Sequence, residues 1–449
     1  MNKIRTRKSH PDILTVALLL PMLGHVLRKL LPGNPVWAEG LSPILLIPIG
    51  IWALRKVDYV PKWLSTPILL LILLQMIWVV IGLFEAPLVA ISAVLFRIVP
   101  LLMIPIALVA IRCDRDILKI AKVLGALSIA FAVISLYVSI NGDSLLPRFL
   151  RVVESIEEAK ITLLRGQFYT AAAVFSTPTQ LGYFGLVAFC VFMALYSANR
   201  VHLNITSSLM MTSSFIVLFL SGRRIFAYFS VLLFLYGSYM RKNIIVSIVI
   251  GLIILTLIAF IDEKTYMINP DRYSRSEFIF EPDRAEHENI IQSALARFDG
   301  MVMHSGRVNL LHYPYGTYLG KYGVEGRAFL GEEGQTRDFA IYYYDKIAIE
   351  TGLNLLIVEM GFIGAIMWPF LIIYIINKIY ILSRLSNNRY IIRAFLLAFS
   401  LLTFNFLFKG FTFLMGYQVQ AFFFWALPGI CAALINEEEP KLHRVTKSY

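Results

Sequence analysis

The sequence predicts an all-α protein that crosses a membrane many times, and three observations carry that prediction. Apolar residues come in blocks about as long as the roughly 20-residue helix that spans a bilayer. Only 16% of the 449 residues are charged, and 58% are hydrophobic, whereas an ordinary soluble domain carries about 25% charged residues. Lysine and arginine gather in alternate short connections, as the positive-inside bias requires.

The apolar blocks give about twelve candidate helices of spanning length. They lie near 12–31, 40–54, 64–84, 87–111, 117–140, 167–197, 203–220, 225–240, 243–261, 350–376, 394–413 and 417–435. The first two and the eighth are short or interrupted. The sixth is too long for one straight span, and Pro178 within FSTPTQLG is expected to kink or break it. The chain thus divides into a membrane region at 1–261, a large loop at 262–349 and a second membrane region at 350–449.

Orientation follows from charge. With the N-terminus inside, Lys3, Arg5, Arg7 and Lys8 fall on the cytoplasmic side. So do Arg55, Lys56 and Lys62, then Arg112, Arg115, Lys119 and Lys122, and later Lys378, Arg384, Arg389 and Arg393. The short outer connections hold fewer cations, so both termini are expected inside. Segment 141–166, the turn at 221–224 and the 262–349 loop then all face outward. The net charge of +12 belongs to the inner loops, and no nucleic-acid partner is expected. Cys113, Cys190 and Cys431 avoid the long loop, which argues against a disulfide framework or a metal cluster there. No small-residue cleavage site follows the first apolar run, which is expected to stay as a span.

The loop at 262–349 is too long for a plain connector. Residues 289–302 place Ile291, Ala294, Leu295, Phe298 and Val302 at helical spacing. HYPYGTYLGKYG, 312–323, follows, with Tyr313, Tyr315, Tyr318 and Tyr322 among Gly316, Gly320 and Gly323. Its tyrosines suit a membrane interface first and sugar rings second. Glycines there permit tight turns.

Charges inside apolar blocks cost about 2.5–3.5 kcal/mol each at a helix centre. Arg97, Glu359 and Lys409 are such charges, and they are expected either to pair or to line a cavity. Glu350 and Glu359 lie on opposite faces of one helix, roughly 13 Å apart along its axis. They cannot act together on one bond. Glu350 sits at the water interface, where a base can work; Glu359 is deep and reads as structural. Gly361 and Gly364 are expected to let helices approach closely. The acidic pair Asp114 and Asp116 falls in a short inner turn and reads as solvated rather than as a metal site. No Walker, zinc-protease or dinucleotide fingerprint is present, so ATP-driven transport and zinc hydrolysis lack support.

Four segments together resemble the bacterial O-antigen polymerase and ligase superfamily of membrane glycosyltransferases. They are RGQFYTAAAVFSTPTQLG at 165–182, LSGRR at 220–224, Arg297 followed by HYPYGTYLG, and ETGLNLLIVEMGFIG at 350–364. The family's histidine position carries Glu350 here, and its S-x-S-R turn reads S-G-R-R, which favours a polymerase over a ligase.

The resemblance implies a GT-C-like fold in the bacterial cytoplasmic membrane with its active face extracytoplasmic. It implies a polyprenyl-diphosphate-linked oligosaccharide as donor and acceptor, membrane lipids as surroundings, and a flippase and a chain-length regulator as companions. No cofactor or metal is required. Arg165, Arg223, Arg224 and Arg297 are the expected diphosphate ligands, because arginine forks onto phosphate oxygens. Glu350 is the first candidate base and His312 the second. The competing readings are a ligase that transfers whole glycans to an acceptor, and a flippase for lipid-linked oligosaccharides. A flippase is expected to spread its charges through the membrane depth and to show repeated halves; the sequence crowds them at one face.

Overall fold

A computed structural model describes residues 9–32, 36–57, 59–141, 145–151, 164–165, 168–169, 171–201, 204–221, 224–241, 305–321, 351–408 and 418–436. Among the described residues the main helices, in chain order, begin with α1 Pro11–Leu30, α2 Leu41–Lys56, α3 Lys62–Glu85, α4 Pro87–Ala110 and α5 Asp114–Asn141. Then come α6 Pro178–Ser197, α7 Ile205–Leu220, α8 Arg224–Met240 and the short α9 Ser305–His312. The last three are α10 Gly352–Ser383, α11 Arg389–Phe408 and α12 Gln418–Asn436. A two-residue antiparallel pair, β1 Leu164–Arg165 with β2 Phe168–Tyr169, precedes α6.

Among the described residues, nine helices are long and apolar enough to cross a membrane. The protein is a polytopic membrane protein. The first two expected spans, interrupted in sequence by Pro21 and Pro48, are both continuous helices. α7 and the 229–240 part of α8 are apolar but shorter than the other spans. The expected span at 243–261, the expected helix at 289–302 and most of the 262–349 loop lie outside the described residues.

α6 is the centre of the bundle. Its whole apolar stretch is buried, and 94% of that of α12 is. α6 packs on α7, α8, α11 and α5, while α12 packs on the second half of α4 and on α11. α3 lies at the edge: Leu69, Leu73, Ile77, Val80 and Phe84 form an exposed apolar stripe, as lipid contact requires. The long sixth block breaks where proline dictates. α6 starts at Pro178, and residues 171–177 before it are a turn. Pro at the first position of a helix loses no intrahelical bond.

Alternation of chain direction gathers one set of ends together. Ser197 Oγ near the end of α6 donates to Tyr390 O at the start of α11 (3.4 Å). The start of α6 therefore lies by the end of α11. Gly352, opening α10, abuts the Phe406 carbonyl near that same end. Ala171 N donates to Leu220 O at the end of α7 (3.3 Å).

The opposite end holds the DRD turn. Asp116 is buried and accepts from Arg112 N (2.9 Å), Cys113 N (3.2 Å) and Ser9 Oγ (2.8 Å). Asp114 pairs with Arg200 Nε (2.6 Å). The expected solvated turn is thus corrected: Asp116 serves as a buried anchor for the start of α5, satisfying backbone donors that a helix start leaves free.

Candidate functional site

The helix end HVLRK, 25–29, closes α1 with His25, Arg28 and Lys29. Spacings of three and four put these residues on one face. The chain then turns through a short 3-10 segment, Val36–Gly40, that carries Glu39. All four side chains are buried, His25 completely. Arg28 Nη1 donates to Glu39 Oε1 (2.6 Å), and His25 Nδ1 lies 3.1 Å from the same oxygen. A buried carboxylate persists only with such partners.

The segment before α6 completes this cluster. Ser176 Oγ donates to Glu39 Oε1 (2.6 Å) and lies 3.0 Å from His25 Nδ1. Lys29 Nζ donates to Ala173 O (2.6 Å). Ala173 holds φ at 47°, a left-handed conformation that costs a non-glycine residue about 1–2 kcal/mol. Gln418 Nε2, opening α12, donates to Glu39 O (2.6 Å). Glu39 therefore ties together α1, the turn after it, the lead-in to α6 and the start of α12. Among the described residues, the buried side-chain atoms His25 Nε2, Gln180 Oε1, Thr177 Oγ1 and Gln418 Oε1 have no hydrogen-bond partner.

A second construction lies beside α3, α4 and α10. Arg97 sits in a π-helical turn, Val94–Ile98, that Pro100 follows. Proline removes a backbone donor, which loosens the regular ladder there. Arg97 makes a two-pronged ion pair with Glu359 of α10, Nη1 to Oε2 and Nη2 to Oε1 at 3.0 Å. Pairing, one of the two expected arrangements of the intramembrane charges, is the one these two adopt. Lys409 lies outside the described residues.

Two residues on, α10 is broken open. Gly361 has φ 65° and ψ −163°, a region essentially reserved for glycine. The freed backbone groups bind residues 313–321. Phe362 N donates to Pro314 O (3.0 Å), Thr317 N to Glu359 O (3.2 Å) and Thr317 Oγ1 to Val358 O (3.1 Å). Trp78 Nε1 of α3 donates to Tyr315 O (2.9 Å). Gly316, at φ 76°, approaches so closely that a Cβ there would stand 2.5 Å from Glu359 O. Gly361 thus serves a backbone opening and not the close helix contact expected of it. The tyrosines divide: Tyr318 is buried against Ala86 and Val89, while Tyr315 is 84% exposed.

Of the expected site residues, Arg165 lies in β1, paired with Phe168 in register, six residues before Ala171, which meets Leu220. Arg224 is the first residue of α8. His312 closes α9, exposed, with its ring 6.5 Å from that of Tyr313. Arg223, Arg297 and Glu350 lie outside the described residues, Glu350 one position before Thr351, which caps α10 by accepting from Asn354 N (3.2 Å). The structure brings Ala171 to Leu220 at the end of α7, and the 313–321 segment to α10.

Sequence reasoning missed His25, Arg28, Lys29, Glu39 and Ser176. The signal was present in HVLRK: a histidine and two cations on one face of an apolar helix, with a lone carboxylate in the next turn. No protein-family model matches the chain, and no curated protein is significantly similar to it.

Proposed function

We propose that the protein is a membrane glycosyltransferase that joins polyprenyl-diphosphate-linked oligosaccharide repeat units into a surface polysaccharide, on the outer face of a bacterial cytoplasmic membrane. One observation carries the reading. The four segments that resemble the polymerase and ligase superfamily are far apart in sequence, yet their described parts meet in two pairs. Ala171 N donates to Leu220 O at the end of α7, where the LSGRR motif begins, and 313–321 dock into the break in α10.

In this reading Arg165, Arg223, Arg224 and Arg297 hold the diphosphate. Breaking the bond between sugar and diphosphate moves charge onto the phosphate oxygens, and guanidinium groups stabilise it through paired hydrogen bonds. The acceptor hydroxyl must lose a proton to a nearby base; Glu350 and His312 are the bases that the sequence motifs offer. Arginine supplies the positive charge that a metal would otherwise bring.

Deletion of the protein in its source bacterium tests the reading. Surface glycan should fall to a single repeat unit. Full-length glycan retained on the carrier lipid would mark a ligase instead, and unchanged surface glycan would overturn both.

A further inference from the structure

The proposed mechanism leaves the cluster of His25, Glu39 and Ser176 without a chemical task, although its geometry orients one. His25 is completely enclosed, and Phe175 meets its ring edge-on at 5.6 Å. On the Nδ1 side stand Glu39 Oε1 at 3.1 Å and Ser176 Oγ at 3.0 Å. Ser176 directs its own proton to Glu39 Oε1 at 2.6 Å, so it turns lone pairs toward the ring. Arg28 Nη1 at 2.6 Å favours the charged carboxylate. Both neighbours of Nδ1 are therefore acceptors, and in the neutral ring the proton belongs on Nδ1.

That leaves a basic lone pair on Nε2, and Nε2 is buried without a partner among the described residues. A carboxylate behind one ring nitrogen and a lone pair on the other is the orientation of a general base. Ser176 is not its nucleophile, because it stands on the carboxylate side. Further unpartnered atoms at this end point the same way. Gln180 Oε1 and Gln418 Oε1 are acceptors, and Thr177 Oγ1 accepts as well as donates. Gln420, two residues after Gln418, adds an unpartnered donor in Nε2 and an acceptor in Oε1 among the described residues, and a sugar's hydroxyls, which both donate and accept, suit such a mixed set.

We propose that His25 is the general base for the acceptor sugar, oriented by Glu39, and that this sugar binds on the Nε2 side; the assignment rests on the glycosyltransferase reading. The acceptor hydroxyl oxygen bonds to the donor's anomeric carbon. The bond from that carbon to the diphosphate oxygen breaks, its electron pair leaving with the polyprenyl diphosphate. The hydroxyl proton passes to His25 Nε2, and the imidazolium is held between Glu39 and Ser176.

The test uses the full chain expressed in the deletion strain, read by glycan length. Wild type must first restore long glycan; if the deletion leaves glycan unchanged, the glycosyltransferase reading fails, and His25 is not at issue. His25→Asn retains a donor toward Glu39 but has no Nε2 lone pair. It should reach the membrane at the wild-type level and elongate about 10²-fold less or worse. His25→Ala should lose elongation too and regain part of it when imidazole is added to the medium. Normal elongation by His25→Asn overturns the proposal, and so does a loss in His25→Ala that imidazole leaves unchanged.

Discussion

Arg97 and Glu359, 262 positions apart in sequence, hold each other by both prongs inside the bundle, and each is almost completely buried. The pair fastens α4 to α10 directly above the break at Gly361.

Removing one partner strands the other charge. Arg97→Ala or Glu359→Ala should therefore destabilise the protein by about 3–5 kcal/mol, whereas Arg97→Met with Glu359→Leu should recover most of that loss. Thermal unfolding in lipid nanodiscs measures both. A double variant no better than the singles would show that the pair does more than neutralise itself.

Gly316 and Gly361 face each other with backbone contacts that leave no room for a Cβ. Gly361→Ala should cost about 1–3 kcal/mol in strain alone, and Gly316→Ala should push 313–321 off α10. A cysteine placed at Thr317 then becomes open to a water-soluble maleimide, while in the parent background it stays protected. Equal labelling in both would refute the docking.

Arg224→Ala should shorten surface glycan while leaving the protein in the membrane, as should Arg223→Ala. Wild-type polymer in both single variants would remove the arginines from diphosphate binding. Glu350→Gln serves as the counterpart of His25→Asn: with His25 as the base, elongation survives the first substitution and not the second. Glycan ladders from the same strain set decide between them.

Cys113 gives a way to check orientation. It is the half-exposed cysteine, with Cys190 and Cys431 buried. Partial burial and the neighbouring carboxylates of Asp116 and Asp114 push its thiol up from the ordinary value, although backbone hydrogen bonds at Asp116 and Arg115 pull the other way. A raised pKa means less thiolate at neutral pH, so alkylation should be slow at pH 7 and accelerate as pH rises. An impermeant maleimide should reach Cys113 in inverted vesicles and not in intact spheroplasts. The reverse pattern would put the His25 cluster on the cytoplasmic side and remove the basis for an outward-facing site.

Hydropathy made the spans legible because a bilayer demands long apolar helices whatever the tertiary fold. Pro178 was legible for the same local reason, as were the intramembrane charges Arg97 and Glu359. The His25 cluster was legible only in part, through the histidine and two cations of HVLRK. Its members come from α1, the turn after it, the lead-in to α6 and the start of α12, and Ser176 and Gln418 look ordinary in their own surroundings. The opening of α10 was hidden too, since glycine in an apolar run equally suits close packing. Only the backbone shows that Gly361 departs from the helix and that 313–321 fills the gap.

The strap at 313–321 also imposes an order on biogenesis. Tyr315 O is received by Trp78, 237 positions earlier, and its remaining seat is the broken turn of α10, which the ribosome delivers later still. The seat is incomplete until α10 has left the translocon. Before that moment the bond from Trp78 to Tyr315 O is made without the support of the α10 contacts. Closure of the strap is therefore a post-insertional event, and a chain truncated ahead of α10 should present 313–321 to proteases even where its earlier helices are correctly threaded.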